Sequence, residues 1–388
     1  MVCEKEMERR NLIKGFVAMA ALIPWQKNFA SEISKERSKE PPQNFFKLKY
    51  SKKRFWLTTH EEEPFFSIGL NHFDPASLRY LENIDIWRNQ FGGSTLQWIE
   101  KSIVPNVKAW AFNTIGWVQD VTVRTWAHSR SFTVDEYRTL NMPYCHMLPF
   151  TESNQWEKHT LHFDFFDPEW VDYVARSHCG ALALENNLMG SFFSDCPTWI
   201  HTRPHNQWRG PILDPKLLDS KTGQKAVRQL AKQYYKTIYD AIRRYDKHHL
   251  ILGDRYEGNA PISMQVVNAA LPYVDILSFQ DFVNPVKTLK FFFKETGKPV
   301  LLADSAKIRW DTEPGEISEN DGAWYAETLR KVYENPGCIG FHLCGAFHLN
   351  RARRYGLLDE RQNVNEVNID LITEANKKIS DAIQRIKF

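Results

Sequence analysis

From residue 54 onward the chain repeats one pattern: a short apolar run, a polar loop, then an amphipathic stretch. The runs are Pro64–Leu70, Lys108–Asn113, Met142–Leu148, Leu188–Phe193, Leu250–Gly253, Asp275–Phe279, Pro299–Ala303 and Cys338–Leu343. Each is short and rich in β-branched or aromatic residues, as buried strands are. The clearest helical stretches between them are Pro168–Arg176, Lys225–Tyr245, Ser263–Leu271, Pro285–Thr296 and Gly322–Tyr333. Asp167 before Pro168 makes a helix start, with an acidic cap and Pro at the first helical position. Gly297-Lys298-Pro299 stops one helix and launches the next strand. Eight such units in about 290 residues predict an α/β fold, a single-domain (β/α)₈ TIM barrel. The alternative is an open doubly wound sheet. That fold more often shows a Gly-rich first turn, and no G-x-G-x-x-G or P-loop occurs here.

Charge excludes one class of function. Fifty basic and 47 acidic residues leave a net charge of +3. The densest basic cluster is only Arg351, Arg353 and Arg354, too little for a nucleic-acid track. The aromatic content is high, with 13 Trp, 14 Tyr and 25 Phe. Some must be core, but flat aromatic faces also stack on the C–H patches of sugar rings. The six cysteines form no C-x-x-C pair and no zinc-ligand spacing, so neither a metal nor another cofactor is expected.

The first 30 residues read as an export signal. Arg9 and Arg10 are followed by Leu12 and Lys14, then by a weakly apolar run from Gly15 to Trp25. That run is too short to span a bilayer, which needs about 20 apolar residues. The pattern resembles a twin-arginine signal and predicts a periplasmic or extracellular protein. Residues 31–50 read as a linker, leaving 51–388 for the barrel. No other segment could span a membrane.

In a (β/α)₈ barrel, function gathers at the C-terminal ends of the strands. Those ends carry Asn71, His72 and Asp74; Asn113 to Trp117; His146; Asp195; Asp254, Arg255 and Glu257; Gln280 and Asp281; Asp304; and His342 with His348. Each alone suits a turn or a helix cap. Together they are the carboxylates, amides, imidazoles and indoles that recognise sugar hydroxyls and protonate glycosidic oxygens. After the fourth strand, Trp199, His201, His205 and Trp208 suit a sugar-contacting loop; packing over the barrel rim would also account for them. Trp310 is a further stacking candidate.

Several of these stretches resemble the exo-acting beta-agarases and related clan A glycoside hydrolases. They are Phe65–Asn71, Phe112–Gly116, Phe163–Pro168, Leu252–Arg255 and Lys298–Asp304, in order along residues 64–360. The resemblance implies a retaining glycosidase with an acid/base Glu after strand four and a nucleophile Glu after strand seven. This chain departs at both positions. Strand four runs into Phe193-Ser194-Asp195-Cys196-Pro197, which puts Pro197 where the acid/base belongs, and the strand-seven position is Asp304. Three readings stay open. Asp304 acts as nucleophile or base with Asp195 as acid; or the acid is Glu257 or Asp281; or hydrolysis is lost and the groove binds sugar. The shorter Asp304 could also widen the carboxyl gap toward inversion, which needs about 6.5–9.5 Å rather than the 5–5.5 Å or so of retention. The expected ligand is a neutral or acidic sugar. A metal-dependent barrel hydrolase or sugar isomerase is the runner-up, because carboxylates and His at barrel ends can bind divalent ions.

Overall fold

Eight parallel strands close into a barrel in the order β10-β11-β4-β5-β6-β7-β8-β9. They are β4 (Ser67–Leu70), β5 (Thr114–Ile115), β6 (Tyr144–Met147), β7 (Leu188–Asp195), β8 (Leu250–Glu257), β9 (Leu277–Gln280), β10 (Val300–Ser305) and β11 (Cys338–Leu343). Helices follow them, including Lys221–Tyr245, Pro285–Thr296, Gly322–Glu334 and Glu366–Gln384. The fold is thus the expected (β/α)₈ barrel. The computed structural model describes residues 45–118, 130–150, 168–195, 215–258, 262–307, 321–344, 347–351 and 356–388.

Two apolar cores separate inside from outside. One joins Cys145, Met189, Phe192, Leu250, Leu252, Ile276, Leu301, Ala303 and Ile339 from the strands to Phe46 and Leu57. This is the barrel interior. The other joins the outward strand residues to the helices and includes Tyr144, Phe193, Ile251, Leu302 and Phe341. Leu57 belongs to an antiparallel hairpin, β1 (Lys47–Ser51) and β2 (Arg54–Thr58), extended by the short β3 (Pro64–Phe65), and Phe46 immediately precedes β1. β1 begins within the stretch 31–50 read as a linker. Truncating an interior side chain such as Leu301 to Ala should cost about 2–5 kcal/mol.

One strand lies elsewhere than expected. Lys108–Asn113 is not β-structure. A helix runs Val104–Ala109, and the second barrel strand follows at Thr114–Ile115. Trp110 and Phe112 are apolar because they pack into the outer core, not because they form a strand.

Candidate functional site

Strict alternation would turn Asp304 outward. In β10, Leu301 and Ala303 face the interior, so the next interior residue would be Ser305. The β10 register shifts between Leu302 and Asp304 on one side, and between Leu302 and Ser305 on the other. Such a bulge re-aims a side chain, and here it delivers Asp304 to the barrel mouth. β8 does the same. Leu250 and Leu252 point inward, then Gly253 adopts φ 69° and inverts the phase. Asp254 therefore turns outward and Arg255 inward.

Asp304 is buried, and groups from β8 and from the loop after β4 converge on it. Arg255 Nη2 is 2.6 Å from Oδ2, Asn71 Nδ2 donates to Oδ1 at 2.7 Å, and His72 Nε2 stands 3.5 Å from Oδ2. Asn71 is fixed in turn, donating to the Ala303 carbonyl at 2.8 Å and accepting from the Trp117 N–H at 2.7 Å. Burial alone would raise the Asp304 pKa. The Arg255 and His72 charges and the bonds from His72 and Asn71 overcome it and hold the carboxyl well below the usual range. Asp304 is an anion at every physiological pH.

Arg255 is wholly buried, and its guanidinium lies 3.8 Å from the Trp117 ring centre. Its Nη2 also stands 3.7 Å from Asp195 Oδ1, and Gln280 Nε2 donates to that same oxygen at 2.7 Å. One guanidinium nitrogen thus bridges both carboxylates. Asp304 Oδ2 and Asp195 Oδ1 are therefore at most about 6.3 Å apart, between the retaining and inverting separations. None of the three guanidinium nitrogens of Arg255 makes a hydrogen bond of good geometry among the described residues, so Nη2 meets Asp304 as an ion pair.

His342 lies beneath this centre. Its Nε2 is 2.7 Å from Ser67 Oγ, and its ring fills the space a side chain at Gly69 would need. Burial, with the Arg255 charge, pushes its pKa down to about 3, so the ring is neutral. Cys344 joins from the end of β11, with Sγ 3.5 Å from His72 Nε2. Ser67 and Cys344 carry no motif that would single them out in the sequence. His72, Asp304 and Cys344 could in principle offer three donors to a metal. Arg255 already occupies the Asp304 oxygen that faces His72, and a divalent ion there would meet a buried guanidinium. The donor set fits a held carboxylate better than a metal.

The structure therefore brings together Asn71, His72, Trp117, Asp195, Arg255, Gln280, Asp304 and His342. Glu257 ends β8 opposite Gln280. Other expected site residues sit apart from this centre. Asn113 precedes β5 and pins the β4 backbone, accepting from the Ile68 N–H and donating to the Phe66 carbonyl. His146 faces outward between Tyr137 Oη, at 3.1 Å, and His178 Nδ1, at 2.9 Å. Asp254 accepts from Ser194 and from Tyr234 and Tyr235 of the Lys221–Tyr245 helix. Asp281 accepts from the Val283 and Asn284 N–H groups and shapes the turn into the Pro285–Thr296 helix. Trp199, His201 and Trp310 lie outside the described residues, as does Pro197. Cys145, Cys179 and Cys338 are free, buried thiols.

Fold and site together define a (β/α)₈ barrel with a buried, cation-held carboxylate at its C-terminal mouth. Several solved glycoside hydrolase structures share this architecture. An agarase, AgWH50C, superposes with a TM-score of 0.67 at 12% identity, over 89% of this chain and 65% of that one. An exo-beta-agarase gives 0.65 at 16% identity, over 88% of this chain and 66% of that one. A GH5_18 enzyme from Streptomyces cattleya in complex with GlcNAc gives 0.56 at 12%, over 84% and 82%. At these identities the likeness is one of fold. The chain spans just 65% and 66% of the lengths of the two agarases. No protein-family model and no curated protein matches it.

Proposed function

We propose that this chain is a glycoside hydrolase that cleaves O-glycosidic bonds of an oligo- or polysaccharide, with Asp304 as nucleophile or base and Asp195 as acid. The observation that carries this is the Asp304 cluster: a buried carboxylate kept ionised by Arg255, His72 and Asn71. An oxocarbenium-like centre needs such a charge opposite the leaving oxygen. The Arg255 bridge brings an Asp195 oxygen to within about 6.3 Å of Asp304, near enough for the two carboxylates to flank one glycosidic bond. Two of the structural neighbours are agarases, which supports an agarose-like galactan as substrate.

A second reading is sugar binding without hydrolysis. Asp195 accepts from Gln280 Nε2 and lies 3.7 Å from Arg255 Nη2, contacts that suit a carboxylate held in a sugar-binding groove as well as a catalytic one. Assaying new reducing ends on agaro-oligosaccharides, alongside thermal shift with the same sugars, separates the two. Cleavage that disappears in Asp304→Asn supports the hydrolase. A thermal shift without any cleavage supports the binding module, and no response to any glycan removes both.

Export through the twin-arginine route is part of the same proposal, since a polysaccharide is met outside the cytoplasm. Lys at both Arg9 and Arg10 should leave the protein in the cytoplasm. Unchanged export of that variant, or none of the parent, would remove the idea.

A further inference from the structure

A line of hydrogen bonds crosses from the start of β5 to β4 and on to β11, and the direction of every bond in it follows from one end. Asn113 fixes that end. Its Nδ2 donates to the Phe66 carbonyl at 3.0 Å and its Oδ1 accepts from the Ile68 N–H at 2.8 Å, so a flipped amide would lose both bonds. Oδ1 can only accept, which makes the Thr114 hydroxyl the donor to it at 2.9 Å. A hydroxyl has a single hydrogen, so Thr114 Oγ1 accepts from the Ser67 hydroxyl, also at 2.9 Å. Ser67 has then spent its own hydrogen. Where its oxygen meets His342 Nε2, at 2.7 Å, the oxygen accepts and the ring nitrogen carries the proton. Ser67, Thr114 and His342 are fully buried, so no solvent competes for these bonds.

The His342 ring has one proton to place, because burial and the Arg255 charge keep it neutral. With that proton on Nε2, Nδ1 is a bare lone pair. Nδ1 makes no hydrogen bond among the described residues. A Cβ built on Gly116 would lie 3.1 Å from His342 Nδ1 and 1.9 Å from Asn71 Oδ1, so those two atoms are within about 5 Å of each other. Asn71 Oδ1 accepts from the Trp117 N–H, and that bond orients the amide whose Nδ2 donates to Asp304. A proton on Nδ1 would bring a second donor toward Asn71 Oδ1, in competition with the Trp117 N–H. A lone pair leaves that bond alone.

We infer that Asn113, acting through Thr114 and Ser67, is a positioning residue: it holds His342 in the Nε2–H form and so keeps Asn71 turned onto Asp304. The weight this carries for turnover rests on the proposed role of Asp304. The tautomer itself does not.

The test is the nitrogen NMR spectrum of the full chain labelled with ¹⁵N in histidine, taken near neutral pH. The His342 signals are assigned by their loss in His342→Gln. In the parent, Nε2 should show the shift of a protonated ring nitrogen and Nδ1 that of a bare one. Thr114→Val removes the acceptor for Ser67, whose hydrogen then turns to Nε2. The ring proton should move toward Nδ1 and the two shifts should converge or exchange. Thr114→Ser should restore the parental pattern. Turnover on agaro-oligosaccharides should fall about tenfold in Thr114→Val, with sugar affinity little changed, and recover in Thr114→Ser. If Thr114→Val does not fold, Ser67→Ala removes the acceptor for Nε2 and reads the same change. A parental ring protonated on Nδ1, or parental shifts in Thr114→Val, would overturn the inference. Shifted nitrogens with full turnover would overturn it too, because the tautomer would then not serve Asp304. A parent that cleaves nothing retires the hydrolase, and its nitrogen shifts still uphold or overturn the His342 assignment.

Discussion

The mouths of β10 and β7 hold one carboxylate each, and they are built for different states. Around Asp304 every named neighbour stabilises negative charge, and those neighbours come from β8 and the loop after β4. Around Asp195 the partners include Gln280 and the same Arg255, at 3.7 Å rather than 2.6 Å. Asp195 also keeps 19% of its side-chain surface open, whereas Asp304 keeps 4%. The Asp304 side is preorganised as a fixed anion. The Asp195 side is open enough for a ligand to alter its surroundings. A general acid must hold a proton near neutrality, a demand the proposed mechanism places on Asp195. Under the proposed two-carboxylate mechanism, Asp304 is the carboxylate held as an anion and Asp195 is the one a bound sugar can reach.

The sharpest break of this contrast is Asp304→Asn. If Asp304 carries the reacting charge, turnover on agaro-oligosaccharides should fall by on the order of 10⁴-fold with little change in sugar affinity. Turnover that is largely kept would make Asp304 a structural partner of Arg255. Next comes Arg255→Met, which leaves Asp304 buried without its cation. Breaking a buried pair costs about 3–5 kcal/mol, so the urea midpoint should drop accordingly. An unchanged midpoint would mean that Asn71 and His72 suffice. Third is Asp195→Asn, expected to lose about 10²–10⁴-fold on natural glycosides and far less on aryl glycosides with good leaving groups. If Asp195→Asn is near parental while Glu257→Gln is dead, the acid belongs to β8.

Much of the fold could be read in the sequence, because seven of the eight barrel runs overlap strands and the helices between them carry strong starts and stops. What escaped has a physical reason in each case. The β1–β2 hairpin turns through Lys52 and Lys53, at φ 51° and 62°, without the Asn-Gly or Asp-Gly pair that usually marks such a turn. The second strand was masked by Trp110 and Phe112, which are apolar for the outer core. At the site, Asp304 and Arg255 stood out by their place after apolar runs, yet so did Asp254. Only the Gly253 bulge decides that Asp254 meets Tyr235 while Arg255 meets Asp304. A bulge adds one residue to the count of a strand, and composition does not register it.

The smallest effect concerns His342, whose neutrality keeps the floor under Asp304 free of a second positive charge. Its folded pKa, pushed down to about 3, lies below an unfolded value of about 6.5. The unfolded chain therefore binds more protons between those values. The stability from this group is fully present above pH 6.5 and is lost as pH falls toward 3. Between pH 7 and pH 5 that loss should be about 2 kcal/mol. Buried His146 and His348 have depressed pKa values as well, so the parent curve sums several rings. The informative quantity is the difference in slope between parent and His342→Gln, measured by urea melts at each pH. The amide can still bond Ser67 Oγ but does not titrate, so the variant should lose about 2 kcal/mol less than the parent over that range. Parallel slopes would show that His342 does not control the acid sensitivity of the barrel mouth. The charge balance around Asp304 would then be set by Arg255 and His72 alone.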